Sequence, residues 1–270
     1  MRSRSEAALT RVASTWEALL HDGQGNPIEM GWEVFSVADV VRSNSAVLSA
    51  LEDASRDIDD RLNLVNDIFA KKISAQVLEL LHGLVRERWA EKGDLLKALE
   101  NLGVQTILIG AEKEGLLSKT EEELYQSLRL LKRERTLRVA LQDSTYPASA
   151  RTDLMRRVFG NLNPYTQALL ARSVSGAEKN TLSRLITDYI VIASERGKHL
   201  VAAVTSAIPL TSEQEERLRL ILSNFYKKDV KLHIALDPAV IGGLRIHIGD
   251  DVIDGTLASR IADVKAVFSK

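Results

Sequence analysis

The chain has 270 residues, 45% of them hydrophobic, 27% charged and 5% aromatic, and it contains no cysteine. This length suffices for one or two buried cores. The 36 Lys and Arg nearly cancel the 37 Asp and Glu, so no global field draws the chain to nucleic acid or to an anionic membrane. The balance also holds locally, with nine basic and nine acidic side chains in residues 199–270. Without cysteine, disulfides, thiolate nucleophiles and Cys-ligated zinc or iron–sulfur sites are excluded, and a reducing compartment is expected. No run approaches the roughly 18 to 20 apolar residues of a membrane span. Arg2 and Arg4 lead into Glu6 and an amphipathic segment rather than the apolar core of a signal peptide, so a soluble, cytoplasmic chain is expected.

Prolines occur at 27, 147, 164, 209 and 238, leaving long uninterrupted tracts with helical spacing. Leu9, Val12, Ala13, Trp16, Leu19 and Leu20 fall on one stripe. So do Leu62, Val65, Ile68 and Phe69, then Leu95, Ala98, Leu99 and Leu102. Leu124, Leu128 and Leu131, and Leu182, Leu185, Ile186 and Tyr189, continue the pattern. His21–Pro27 reads as a loop, and Asp57–Asp60 and Pro147–Ser149 as polar breaks. The spacing predicts a mainly α bundle of ten to twelve helices from residue 5 to about 196.

The bundle repeats. At an offset of 90, residues 33–69 align without a gap onto 123–159, with seven identities: Glu33/Glu123, Ala50/Ala140, Leu51/Leu141, Asp53/Asp143, Arg61/Arg151, Leu64/Leu154 and Phe69/Phe159. Roughly two would arise by composition. A one-residue slip then brings Gln76 onto Gln167 and Leu78 onto Leu169. Two similar repeats, 1–112 and 113–198, are expected. A duplicated bundle offers two similar docking surfaces, which points to binding rather than chemistry.

From residue 199 the signal changes to a small α/β domain, 199–270, of order β-α-β-β-α. Leu200–Ile208 reads as a strand. Thr211 to Gln214 and Ser212 to Glu215 each have capping-box spacing before a helix expected to bury Leu218, Ile221, Leu222 and Phe225. Val230–Leu236 and Leu244–Ile248 alternate with period two, and a last helix is expected to bury Leu257, Ile261, Val264 and Phe268. Gly242, Gly243, Gly249, Asp250, Asp254 and Gly255 read as structural turn residues.

No phosphate-binding loop, dinucleotide fingerprint, nucleophile elbow or zinc-protease motif occurs. His233 and His247 lie across an expected hairpin with no third ligand, and read as solvent-facing. Asp237, Asp250, Asp251 and Asp254 cluster at strand ends, where Asp serves turns. The basic run Arg129, Lys132, Arg133, Arg135 and Arg138 contains Glu134 and reads as a solvated helix face. Trp16, Trp32 and Trp89 read as core or groove residues. No catalytic, cofactor-binding or metal-binding residue is assigned.

Val204-Thr205-Ser206-Ala207-Ile208-Pro209-Leu210-Thr211 with Gln214, Asp237-Pro238-Ala239-Val240-Ile241-Gly242-Gly243-Leu244, and Ile248-Gly249-Asp250-Asp251-Val252-Ile253-Asp254-Gly255 resemble, in order and spacing, motifs of the ATP synthase delta subunit family. Thr256 stands where most members have Ser, and Leu257–Ile261 replaces a more basic segment. The greater length resembles the long actinobacterial form. The resemblance implies a non-enzymatic, single-copy stator component of the peripheral stalk. It would lie peripherally on the cytoplasmic face of the cell membrane, without insertion, cofactor or nucleic acid. It further implies that the helical region grips N-terminal helices of alpha subunits and that the C-terminal domain holds subunit b. Leu9, Val12, Trp16 and Leu20 are expected to serve the first contact, and Val252, Ile253, Leu257 and Ile261 the second. The competing expectation is a helical nucleic-acid-binding or regulatory adaptor.

Overall fold

The apolar stripe near the N-terminus forms α1 (Ser3–Asp22), and among the described residues ten further helices follow it before the first strand. They are α2 (Pro27–Ser43), α3 (Ser45–Glu52), α4 (Ile58–Phe69), α5 (Ala75–Arg86), α6 (Asp94–Lys113), α7 (Leu117–Arg133), α8 (Arg135–Gln142), α9 (Ala148–Phe159), α10 (Pro164–Ser175) and α11 (Leu182–Arg196). This computed structural model describes all residues except 23–24, 177–180, 198, 227–228, 238–239, 241–242, 249–250 and 256–270. The expected last helix and its Leu257, Ile261, Val264 and Phe268 therefore lie outside the described residues. So do Gly242, Gly249 and Asp250. The chain divides into two compact units, Met1–Tyr189 and Ile190–Lys270.

Local chemistry sets the helix starts. Side-chain oxygens of Asn26, Asn44, Asp57, Ser74 and Asn163 accept from the first free backbone N–H groups, and Pro27 and Pro164 occupy first turns where no N–H is needed. Asp57 and Pro147 end the breaks 53–57 and 143–147, whereas 58–60 and 148–149 already form the first turns of α4 and α9.

The repeat is written in helix lengths: 20, 17, 8, 12 and 12 residues for α1–α5, and the same series for α6–α10. Its interactions recur too. The Glu33 carboxylate accepts from Ser74 N and Oγ, as Glu123 accepts from Asn163 N and Nδ2. Arg61 donates to the Val85 carbonyl, and Arg151 to that of Val174. Asp53 caps Ser55 as Asp143 caps Thr145, and these hydroxyl and amide bonds hold both carboxyls below their usual range. The pairs Ser74/Asn163 and Val85/Val174 fix the offset at 89 in the fifth helix, so the expected Gln76/Gln167 match is corrected: the slip runs the other way. Loop residues deleted before α10 set that register, and a sequence match between two glutamines does not.

α6 begins the second series and packs on helices of both, against α1, α2 and α3 of the first and α7 and α10 of the second. Against it lies α2, in the most closely packed helix pair among the described helices. A Cβ at Gly31 would meet Ile107 Cγ1 at 2.6 Å, one at Gly103 would overlap the Phe35 ring, and one at Gly110 would meet Pro27 Cβ at 2.6 Å. Small residues on both faces thus let the backbones approach closely. Beside this crossing, the guanidinium of Arg172 on α10 is 1% exposed, bonds Asp39 of α2 at 2.8 and 2.9 Å and Glu100 of α6, and lies 4.5 Å over the Phe35 ring. Burial opposes its charge, but the hydrogen bonds and charges of Asp39 and Glu100 outweigh burial and raise its pKa.

The second unit carries a four-stranded sheet of order β2-β1-β3-β4, from β1 (His199–Ser206), β2 (Asp229–Leu236), β3 (Leu244–Ile248) and β4 (Asp251–Asp254), with α12 (Ser212–Tyr226) crossing between the parallel β1 and β2. β3 runs antiparallel to both β1 and β4. The described order is thus β-α-β-β-β, with Val252 and Ile253 inside a fourth strand. Thr211 and Gln214 form the reciprocal capping box that starts α12, with bonds of 2.9 and 3.3 Å. Leu218, Leu222 and Tyr226 pack on Ala202, Val204, Val230, Ile246 and Ile248. Ile221 and Phe225, expected in this core, are exposed, Phe225 at 74%, because the buried stripe runs along 218, 222 and 226.

Asp94 is buried and accepts from Ser5 Oγ at 2.7 Å and Lys97 Nζ at 2.9 Å. Burial alone would raise its pKa, but the bonds from Lys97 and Ser5 prevail and lower it. Its contribution to stability is therefore complete above the unfolded carboxyl pKa of about 3.9 and is lost as pH falls through the lower folded value. Asp94→Asn is expected to lower stability by about 1–2 kcal/mol at pH 7, and urea titrations should show this difference shrinking below pH 4.

Candidate helix-binding cleft

α1 and α5 leave a cleft of about 270 Å³ between them, lined by Arg11, Val12, Thr15, Trp16 and Leu19 on one side and Glu79, Leu80, Gly83, Arg86 and Glu87 on the other. The lining is an apolar floor with a charged rim, the character of a groove that takes the apolar face of a helix. Trp16 is fixed from behind: its indole Nε1 donates to Thr106 Oγ1 at 2.8 Å, and Thr106 donates to the Leu102 carbonyl. On the rim Arg11 grips Glu87 through two bonds, of 2.6 and 3.1 Å. Gly83 opens the α5 wall, since a Cβ there would meet just Val12 Cγ1, at 3.8 Å.

Of the four residues expected to meet a foreign helix, Val12 and Trp16 line this cleft. Leu9 and Leu20 do not line it; Leu20 belongs to the bundle core, as Val12 and Trp16 also do, and Leu9 packs partly buried against it. Sequence reasoning missed the α5 wall, Leu80 and Gly83. The signal available was a glycine interrupting the apolar series Val77, Leu80, Leu81, Leu84.

In the second unit, Val252 and Ile253 are both exposed. They pair with His247 and Ile246 respectively, and neighbouring strand residues point to opposite faces, so they present two surfaces rather than one. Asp254 is not a turn residue: it ends β4, opposite Arg245, to which it is ion-paired at 3.3 Å. Gly243 has φ +81°, a conformation glycine adopts without strain, and a Cβ at Gly255 would come within 3.3 Å of the Leu244 carbonyl. His233 and His247 do not face each other across a hairpin, because β1 inserts between their strands and Ala203 pairs with both. His233 is moreover 2% exposed rather than solvent-facing. No group of three metal-ligating side chains exists among the described residues. In the basic run, Arg138 donates to the carbonyls of Leu131 and Lys132, closing the end of α7, and Arg133 pairs with Glu134.

A model of the ATP synthase delta (OSCP) subunit family matches residues 105–268, from within α6 onward. Along nearly the whole chain, the ATP synthase subunit delta of Beutenbergia cavernae is 33% identical, covering 98% of both proteins. The chain belongs to the ATP synthase delta (OSCP) subunit family. Subunit delta of Acidothermus cellulolyticus is also 33% identical, over 96% of this chain and 97% of its own, and that of Kineococcus radiotolerans 34%, over 97% and 95%. A chain of the Toxoplasma gondii mitochondrial ATP synthase hexamer superposes with a TM-score of 0.40 at 16% identity, covering 62% of this chain and 95% of that one. As a member of the family the protein is a non-catalytic peripheral-stalk subunit of the ATP synthase, a membrane-associated complex. Among the described residues no single helix is long and apolar enough to cross a membrane.

An open cleft at Gly83 has a direct consequence for stability. Gly83→Ala adds a methyl group in ordinary contact with Val12 and removes a glycine from a helix interior. It is expected to stabilise the chain by about 0.5–1 kcal/mol, read as a higher urea midpoint.

Proposed function

We propose that the helical unit holds the N-terminal helix of an alpha subunit in the α1–α5 cleft while the C-terminal domain holds subunit b. A single copy of the chain, lying peripherally at the cytoplasmic face of the cell membrane, thereby ties the catalytic head to the membrane sector so that the head does not turn with the rotor. The observation that carries the reading is the apolar cleft with Val12, Trp16, Leu19 and Leu80 on its floor, in a member of a stator-subunit family. An amphipathic helix laid in an apolar groove buries its stripe and leaves its charged flanks to the rim, here Arg11–Glu87, Glu79 and Arg86. A clamp under repeated torque calls for nanomolar affinity, about −12 kcal/mol.

For subunit b the reading assigns Val252 and Ile253 on β4 together with Leu257 and Ile261 beyond it. The exposed apolar side chains of β4 support this assignment, since such groups gain by being covered. The boundaries 1–112, 113–198 and 199–270 are proposed as the evolutionary pieces, the first two acting together as one gripping body.

Calorimetric titration of the full chain with a synthetic peptide of the cognate alpha N-terminus tests the first contact. Gly83→Trp, which projects an indole into the cleft, is expected to weaken binding at least 100-fold with folding retained, whereas Gly83→Ala, which adds one methyl group, is expected to weaken it far less. Equal affinity for the Trp variant would refute the cleft. For the second contact, Ile253→Asp and Val252→Asp are each expected to reduce capture of the soluble part of subunit b without changing the alpha-peptide affinity.

A further inference from the structure

Matching the two helix series by their helix bounds and recurring hydrogen bonds shows what stands where the second repeat should have a cleft. The first helices match at an offset of 91, from Ser3/Asp94 to Asp22/Lys113, and the fifth helices at 89. Val12, Trp16 and Leu19 of the open cleft thus correspond to Gly103, Ile107 and Gly110 of α6. Gly83 corresponds to Arg172 of α10. The contacts across each groove keep one antiparallel register: Gly83 faces Val12 in the first, and in the second Tyr165 of α10 meets Gly110, which these offsets place at Gln76 and Leu19, further along the same register.

Each of these four positions is covered by α2. Phe35 lies on Gly103, Gly31 on Ile107, Pro27 on Gly110, and Asp39 and Phe35 engage Arg172. We infer that α2 is a built-in occupant of the second repeat's helix-binding groove, so that the duplicated helical unit accepts one foreign helix and not two. The pair of equivalent docking surfaces expected from the duplication is thereby reduced to one.

The two grooves also select different helices. In the filled groove the first helix supplies two glycines about Ile107 and the fifth an arginine, so the guest needs bulk over the glycines, a small residue at Ile107 and an acid for Arg172, as Phe35, Pro27, Gly31 and Asp39 provide. In the open cleft the relief is inverted: Val12, Trp16 and Leu19 are bulky, and the gap is at Gly83. A guest there rides nearer α5, places a large apolar side chain against Gly83, and needs no acid at the Asp39 position. This inversion keeps α2 out of the open cleft and the foreign helix out of the filled one.

Two measurements on the full chain test the inference. The first rests on the proposed function: native mass spectrometry with a saturating alpha N-terminal peptide should show one peptide per chain, and none on Gly83→Trp. Two peptides per chain, or one retained by Gly83→Trp, would overturn it. The second does not depend on the peptide: in native-state hydrogen exchange the amides of Val34–Ala38 should open solely with global unfolding, and peptide addition should leave them unchanged. Exchange of α2 ahead of α4 and α5, or its deprotection by the peptide, would show a displaceable helix and sink the inference. Should no peptide bind to the parent chain, the proposed function fails while the exchange data still decide the occupancy of the second groove.

Discussion

The close approach of α2 to α6 is the constraint on which the helical unit is built. Leu or Phe in place of Gly31, Gly103 or Gly110 would hold the axes apart, because the atoms such a side chain would overlap belong to the partner helix. With glycine there, Phe35 reaches over the α6 backbone and beneath the guanidinium of Arg172. One aromatic ring then couples three helices. Burying the Arg172 charge at 1% exposure would be costly without Asp39 and Glu100, and both carboxylates are delivered by the same crossing.

Sharing α6 between two series has a mechanical meaning. Two bundles joined by a linker would swivel under load, whereas a twenty-residue helix that belongs to both bundles makes relative motion break packed contacts. The helical region is one compact unit for this reason. Stiffness is what a peripheral stalk needs if torque in the rotor is to reach the catalytic sites rather than be lost in the stator. The duplicated hydrogen bonds at Glu33 and Glu123, and at Arg61 and Arg151, tie helix ends to neighbouring helices in the same way twice.

The two grooves share an architecture and differ in their side chains. A bulky wall on α1 and a gap on α5 in the first are exchanged in the second for a gapped wall on α6 and an arginine on α10. Similar helices in similar places therefore present opposite reliefs. In the smaller domain, the strand β1 placed between β2 and β3 separates the two histidines and makes a structural core residue of His233.

The amino-acid sequence by itself determined the helical periodicity, the repeat, the capping box at Thr211 and Gln214, the positive φ demanded at Gly243 and, through its C-terminal motifs, the family. All of these depend on residues close in the chain or on spacing along it. It did not determine that β1 lies between β2 and β3, that the buried stripe of α12 passes Tyr226 rather than Phe225, or that the repeat slips to an offset of 89 at its fifth helix. Nor did it show that Gly83 opens a cleft while Gly103 closes against Phe35. Glycine reads alike at both positions in a linear pattern. Only the tertiary structure decided which one faces another helix, because that depends on the crossing of elements some 70 residues apart, where the free energy of packing outweighs any local preference.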